Sequence, residues 1–389
     1  MLVITRDPAP DVLRGFALWG IVLVNVAYFS SSVDSGVTAD ALANAGDSVA
    51  AFLVFALAQG NFYLIFSFLF GYSSHYVLGS SSGGRRRWWL RGVGLMVLGL
   101  AHASLLFIGD ILFLYGLLGL LLLGLYAQPR RVLIRWGAWI YGVFTALALA
   151  VVALTALAEA QGLSAAVDSS AARAYEAAVV SDNYLAAIPA RVDFWISEAI
   201  FVVLAQGALT FVAFLVGVLA ARWGALTSSG LSRNQLQKMI GWGLGLGLGL
   251  QLFFAGVWVV TMTSATPSVA LELGAFFGSF VTAPLLSVGY VGLVLTVVRA
   301  RPAALAWLGA MGRMSLTVYL GQSLLLNVIF GGWGLGLYQQ LPYWLAVLVS
   351  IAVTLVMAAV ATLWLRRFRQ GPMERLLTAW SRLGGATGR

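Results

Sequence analysis

Apolar runs alternate with short polar segments from one end of this chain to the other. A membrane-crossing helix needs about 20 predominantly apolar residues, and a lone strand is excluded because its backbone groups would go unsatisfied in lipid. The predicted spans are residues 12–29, one within 49–78, a hairpin of two within 92–123, and then 136–157, 194–221, 239–262, 273–298, 316–330 and 344–365. The pattern predicts an all-α, polytopic transmembrane helix bundle of about ten spans.

Two stretches depart from the simple rhythm. Residues 49–78 are longer than one span needs, so a short interfacial or re-entrant piece ends near Gln59-Gly60-Asn61 and a full span follows. After Gly371-Pro372, the apolar Met373, Leu376, Leu377, Trp380 and Leu383 recur at helical spacing with Arg375 and Arg382 between them, as in an interfacial amphipathic helix. The alternating Gly241, Gly243, Gly245, Gly247 and Gly249 suit either close backbone approach between helices or a flexible segment.

Composition strengthens this reading: 61% of the residues are hydrophobic and 10% charged, with a mean hydropathy of +0.92. Ordinary soluble domains carry roughly 25% charge. The net charge of +9 comes from arginines in short clusters between apolar runs, so it follows the positive-inside rule rather than marking a nucleic-acid surface. Arg85, Arg86, Arg87 and Arg91, then Arg130, Arg131 and Arg135, then Arg222, Arg233 and Lys238, then Arg299 and Arg301, and last Arg366, Arg367 and Arg369 fall on one side. Asp34, Asp40 and Asp47, the loop 159–193 and Glu272 fall on the other, and the long loop is expected to hold a helix of its own. Of 23 basic residues this places only Arg173 and Arg191 outside, and of 14 acidic residues only Asp7, Asp11 and Glu374 inside.

Both termini are then cytoplasmic, in a bacterial inner (plasma) membrane, with residues 1–298 forming spans one to eight and residues 299–389 the last two spans and the amphipathic helix. The first segment has the outline of a signal peptide, but Asp7 and Asp11 balance Arg6 and Arg14 and no small-residue cleavage site follows Phe29, so it is read as a retained span. There is no cysteine, which removes thiol chemistry and disulfides. With His75 and His102 the only histidines, no metal site is expected.

Ionisable and polar groups inside apolar runs are the candidates for chemistry, because such groups are costly in hydrocarbon. His102 lies near mid-membrane and Asp110 at the Gly109-Asp110 turn. On an unbroken helix those eight residues span about 12 Å, so contact requires Gly109 to fold the chain back. After such a hairpin Tyr115 descends to the height of His102 and becomes its nearer neighbour. Asp110 sits in the outer vestibule or caps the fourth span.

Arg14 and Asn25 share one face of span one about 16 Å apart in height. Arg14 either meets a phosphate or carboxylate with its planar donor fork or snorkels to fix topology. Gln59 and Asn61 fall at a break that suits a wet cavity. Arg313 starts span nine, where Ser315, Tyr319 and Gln322 share a face that touches ligand or joins helices. Ser67, Gly71 and Ser74 suit helix packing, and His75 an interfacial position.

Together these pieces resemble the YeiB-type bacterial multi-pass membrane proteins. The resemblance rests on Asp-Val-Leu-Arg-Gly-Phe-Ala-Leu at 11–18 with Val24-Asn25, and on Gln-Gly-Asn-Phe-Tyr-Leu-Ile-Phe-Ser-Phe-Leu-Phe-Gly at 59–71. His102 with Gly109-Asp110-Ile111-Leu112 and Tyr115, Gly-Arg-Met-Ser-Leu-Thr-Val-Tyr-Leu-Gly-Gln-Ser at 312–323, and Arg-Arg-Phe-Arg-Gln-Gly-Pro-Met-Glu at 366–374 complete it, so that it covers nearly the whole chain. Members often carry lysine where this chain has Asn61.

That family is similar to a wider group of transmembrane acyltransferases, which includes the lysosomal heparan glucosaminide N-acetyltransferase. The resemblance implies transfer of an acyl group from cytoplasmic acyl-CoA or a similar donor to a cell-envelope acceptor at the outer face. In the lysosomal enzyme the catalytic histidine lies in the loop after the first span. This chain has none between residues 30 and 58, which leaves His102, helped by Asp110 or Tyr115. Arg14 at the inner mouth would hold the donor, with Asn25, Gln59, Asn61, Arg313, Tyr319 and Gln322 as binding candidates. Both this reading and its alternative, a transporter, flippase or sensor on the same scaffold, require a hydrophilic passage with His102 at its waist and Arg14 at its inner entrance. Membrane lipids surround the bundle, and its glycine-rich spans suit a homodimer.

Overall fold

The computed structural model describes residues 7–33, 42, 44–79, 83–163 and 169–383; Arg6, Asp34, Asp40 and Asp168 of the charge pattern lie outside them. Among the described residues all regular structure is helical. The chain opens with α1 (Ala9–Ser30), α2 (Ala45–Leu57) and α3 (Asn61–Leu78), the last two separated where Gly60 turns left-handed at φ 75°. The break expected at Gln59-Gly60-Asn61 is therefore present.

α4 (Gly84–Leu105) and α5 (Leu112–Leu125) form the hairpin, α6 (Arg130–Ala160) is a long span, and α7 (Ser170–Val179) is the helix expected within the acidic loop. α8 (Ala187–Val202) passes through a π-helical turn into α9 (Ala208–Trp223). Likewise α10 (Arg233–Trp242) passes through π-helical Gly243–Gly247 into α11 (Leu248–Met262). α12 (Val269–Ala300), α13 (Ala306–Arg313), α14 (Ser315–Phe330), α15 (Tyr343–Arg367) and α16 (Pro372–Ser381) complete the chain.

Seven described helical stretches are long and apolar enough to cross a bilayer, as a polytopic helical bundle requires. The rest of the expected spans differ in kind. α5 and α14, with 14 and 16 residues, are shorter than the roughly 20 that bridge the hydrocarbon core. α4 is 22 residues long but opens with the arginine cluster.

α1 runs through the interior, packed by α3, α12, α13, α14 and α15, and buries Leu13, Ala17, Leu18 and Val26 almost completely. α3 crosses α9 at backbone contact: a methyl group on Gly71 would be driven into the Phe214 backbone, and one on Gly217 into the Phe68 carbonyl. Small residues let helices approach this closely where lipid gives no hydrophobic drive. In the glycine repeat, Gly243 and Gly247 press on the backbone of α12 while Gly241, Gly245 and Gly249 meet nothing, so the repeat serves packing on one face.

Three helix starts in this bundle are capped by acids from elsewhere in the chain. The first N–H groups of a helix have no partner within it and attract negative charge. Glu374 accepts from Leu316 N and Thr317 N at the start of α14, Asp47 from Trp344 N at the start of α15, and Glu159 from Val269 N and Ala270 N at the start of α12. Since Glu374 belongs to α16, that amphipathic helix is tied to the start of α14. Its Leu377 is buried and its Trp380 indole donates to the Leu90 carbonyl at 2.8 Å.

The loops sort into two sets that touch only within themselves among the hydrogen bonds described. At the acid-rich end, Val33 N donates to Glu176, Gln339 N to the Ser30 carbonyl, and Gly332 N to the Val179 carbonyl. At the arginine-rich end, Arg222 donates to the Tyr126 and Gln128 carbonyls, and Arg299 to those of Thr227 and Leu231. Each set collects the loops that the charge pattern assigned to one side.

Candidate functional site

Leu106 marks the point where the hairpin departs from a continuous helix. α4 ends at Leu105, Leu106 and Phe107 both donate backbone N–H groups to the His102 carbonyl, and the chain folds back through residues 106–111 into α5. That reversal brings His102 Nδ1 and Asp110 Oδ1 to 2.8 Å. The other carboxylate oxygen accepts from Phe113 N at 2.8 Å, so Asp110 also caps α5. The vestibule position considered for Asp110 is therefore corrected, and the cap and the histidine contact occur together. Gly99 makes room: a methyl group there would stand 2.6 Å from Asp110 Oδ2.

An acceptor carboxylate fixes the hydrogen on His102 Nδ1 and leaves Nε2 as the basic nitrogen. Nε2 is buried and has no hydrogen-bond partner. The imidazole lies under Tyr319, with ring centroids 4.9 Å apart, and beside Phe107 at 6.0 Å. The Tyr319 hydroxyl, near Asp110 and the Ile111 backbone, makes no hydrogen bond of standard geometry.

Tyr115 is not the direct neighbour of His102 that the hairpin predicted. Its hydroxyl is 2.6 Å from Ser67 Oγ and 3.1 Å from the Tyr63 carbonyl, because α5 turns that side chain toward α3. Ser67 thus joins a polar pair, beyond packing.

The remaining candidates disperse. Arg14 donates to Asp11 at 2.7 Å and to Ser73, so its guanidinium is held by protein groups. Asn25 is half-buried on α1. Asn61 is fully buried, donates to the Gln59 carbonyl at 3.0 Å, and leaves Oδ1 without a partner. Gln59 lines a cavity of about 260 Å³ at the acid-rich end, with Tyr28, Ser32, Trp258 and Tyr343. Gln322 donates to Thr354 at 3.0 Å and joins α14 to α15. Arg313 is exposed on α13, cut off by Met314 from the face that Tyr319 and Gln322 share, so the single span expected to start with it is two helices.

The expected hydrophilic passage is likewise corrected. The His102 and Asp110 side chains are 0% exposed, and neither the 260 Å³ cavity nor those of about 770 and 390 Å³ are lined by His102 or Arg14. The pair is enclosed in this conformation.

Sequence reasoning missed Arg191. It is 1% exposed at the start of α8, stacks 5.1 Å over the Tyr184 ring and reaches Asn327 Oδ1 at 3.5 Å, while Nε and Nη1 lack partners. Asn327 in turn donates to the Leu106 carbonyl and Tyr184 to the Leu105 carbonyl, so this group clamps the hairpin turn beside the His–Asp pair. Nearby on α7, burial pushes the Tyr175 hydroxyl up to about 12, against the lowering pull of Arg191. The available signal was that Arg191 is one of two basic residues breaking the charge partition. Among the described residues no cluster of side chains could hold a metal ion.

Residues 220–383 match the family described as "Protein of unknown function (DUF418)". The chain is 31% identical over 394 residues to "Uncharacterized protein YxaH" of Bacillus subtilis (strain 168), covering 94% of this chain and 92% of that protein. It is 27% identical over 391 residues to "Uncharacterized protein YeiB" of Escherichia coli (strain K12), covering 95% of each. No solved structure matches it at a significant level. With an identity of 31% sustained along nearly its full length, and a helical bundle suited to the membrane, the chain belongs to the YeiB-type family of DUF418 membrane proteins.

Proposed function

We propose that this protein is an acyltransferase of the bacterial inner membrane in which the His102–Asp110 pair serves as general base. One observation carries the reading: Asp110 accepts from His102 Nδ1, and the opposite nitrogen, Nε2, is buried without a partner. An unsatisfied buried polar atom costs about 1–3 kcal/mol, a cost relieved when a substrate hydroxyl or amine donates to it. The acceptor's proton passes to Nε2 as its oxygen or nitrogen attacks the acyl carbonyl, the new bond forms and the thioester C–S bond breaks. The imidazolium then returns the proton to the departing thiolate of an acyl-CoA-like donor, while Asp110 offsets its charge. Acyl-CoA is the donor by resemblance, and a cell-envelope acceptor enters from the acid-rich end. For Arg14 to hold donor phosphate it must exchange Asp11 and Ser73 for the ligand.

Because the pair is enclosed, turnover requires an opened state in which the Tyr319 ring leaves the imidazole. The same enclosure favours a second reading, a transporter or flippase in which the pair relays protons during a conformational cycle.

Purified protein incubated with labelled acetyl-CoA or longer acyl-CoAs and envelope extract decides between them. Acyl transfer is expected from the native chain and should fall on the order of 100-fold or more in His102→Ala, the usual worth of a general base. Absence of transfer by the native protein overturns the first reading, and proton-coupled uptake or lipid flipping lost in His102→Ala establishes the second.

A further inference from the structure

A second kind of site lies away from His102, in an apolar cavity that the His102–Asp110 pair does not line. It holds about 770 Å³ between α3, α6, α9 and α12, within the 300–1,000 Å³ range of ligand sites. Its walls are apolar, with Leu64, Phe68, Leu209, Pro284 and Val291 among them. Val216 and Trp223, 49% and 64% exposed, open it to the side where lipid stands. From Leu209 to Trp223 the cavity follows α9 for about 21 Å of helix rise. That exceeds half of a hydrocarbon core of about 30 Å, so it has the depth of one leaflet.

Two arginines stand at one end, Arg130 at the start of α6 and Arg222 at the end of α9. Arg222 is preset: it donates to the Gln128 carbonyl at 2.8 Å and to that of Tyr126, and stacks 5.4 Å over the Tyr126 ring. A guanidinium has five N–H donors in a rigid fork, so these contacts orient it and leave donors for another acceptor. An apolar slot of leaflet depth, open to the bilayer and ending in two cations level with the arginine-rich loops, has the charge and shape of an amphiphile's counterpart.

We propose that this cavity is a binding site for an anionic phospholipid of the arginine-side leaflet, with an acyl chain in the slot and the headgroup phosphate on Arg130 and Arg222. The inference is independent of acyl transfer and does not involve the His102–Asp110 pair. Loose attraction to a negative leaflet is worth about 1 kcal/mol per basic residue, or about fivefold in affinity, and a built slot adds positional selectivity.

The test reconstitutes the full chain in phosphatidylcholine nanodiscs with a trace of phosphatidylglycerol bearing a diazirine in its acyl chain, then maps the cross-links. Labelling is expected in residues 134–141, 209–223 and 284–291, and excess unmodified phosphatidylglycerol should displace it where inorganic phosphate does not. Arg130→Gln should lower it about fivefold. Val216→Trp, which fills the slot from an exposed position, should abolish it without touching the arginines. Labelling spread over the lipid-facing side of α15 as strongly as over the slot, or unchanged in both variants, overturns the proposal. So does displacement by inorganic phosphate alone, which would make the arginines a free-anion site, or a cross-link joining two copies of the chain through α6 and α9.

Discussion

Asp110 holds the imidazole with one carboxylate oxygen and the start of α5 with the other, and two substitutions separate these roles. Asparagine keeps a carbonyl oxygen for Phe113 N but turns an amide N–H₂ toward His102. The ring must then accept at Nδ1 and carry its hydrogen on Nε2, so the fold survives while the base is lost. Alanine removes both contacts, the cap at about 1 kcal/mol and a buried N–H left without an acceptor at about 1–3 kcal/mol. Thermal unfolding of the purified protein should therefore show Asp110→Ala clearly destabilised and Asp110→Asn close to native, with acyl transfer lost in both. Equal unfolding temperatures for the two variants would remove the capping role.

Much of this pair was legible in the sequence, since an imidazole and a carboxylate in apolar runs stand out at once. Their contact was not, because it depends on α4 stopping at Leu105, where neither glycine nor proline marks the end. Arg191 hid for the converse reason: an arginine in an acid-rich loop reads as solvated until α8 carries it under Tyr184 and against Asn327.

At the scale of elements, hydrophobic runs located the spans and the Gln59-Gly60-Asn61 break, because both are local patterns. The split between α13 and α14 at Met314 escaped, as did the π-helical turns, since no proline marks them. Non-local caps are invisible to a local reading. Glu374 looked like one acid among arginines, yet its carboxylate receives Leu316 N, Thr317 N and the Thr317 hydroxyl, tying α16 to the helix that carries Tyr319. An N-terminal carboxylate is worth about 0.3–1 kcal/mol through the helix dipole and a lost cap about 1 kcal/mol. Glu374→Ala should lower stability by roughly 1–2 kcal/mol, seen as a reduced unfolding temperature, and expose Trp380 to quenchers as α16 loosens. An unchanged unfolding temperature and unchanged tryptophan quenching would mean that α16 is held by Leu377 and Trp380 alone.

For the whole molecule, the charge partition and the contacts between loops are separate lines of argument that meet in one topology. The partition concerns which side faces the cytoplasm; the contacts concern which loops share an end, whatever that end faces. Both group the loop after α6 with the loop before α12, joined where Ser268 donates to Glu159 at 2.8 Å, and both group the loop after α9 with the end of α12. The absence of cysteine gives the arrangement a clean test, because any thiol introduced is the only one present. Gln161 and Ser229 are exposed, one in each set of loops. In intact cells a membrane-impermeant maleimide should label Gln161→Cys and spare Ser229→Cys, which should react only after the membrane is opened. The reverse pattern would turn the bundle over and put the arginine clusters outside. Labelling of both in intact cells would place an even number of crossings between residues whose loops the structure assigns to opposite ends.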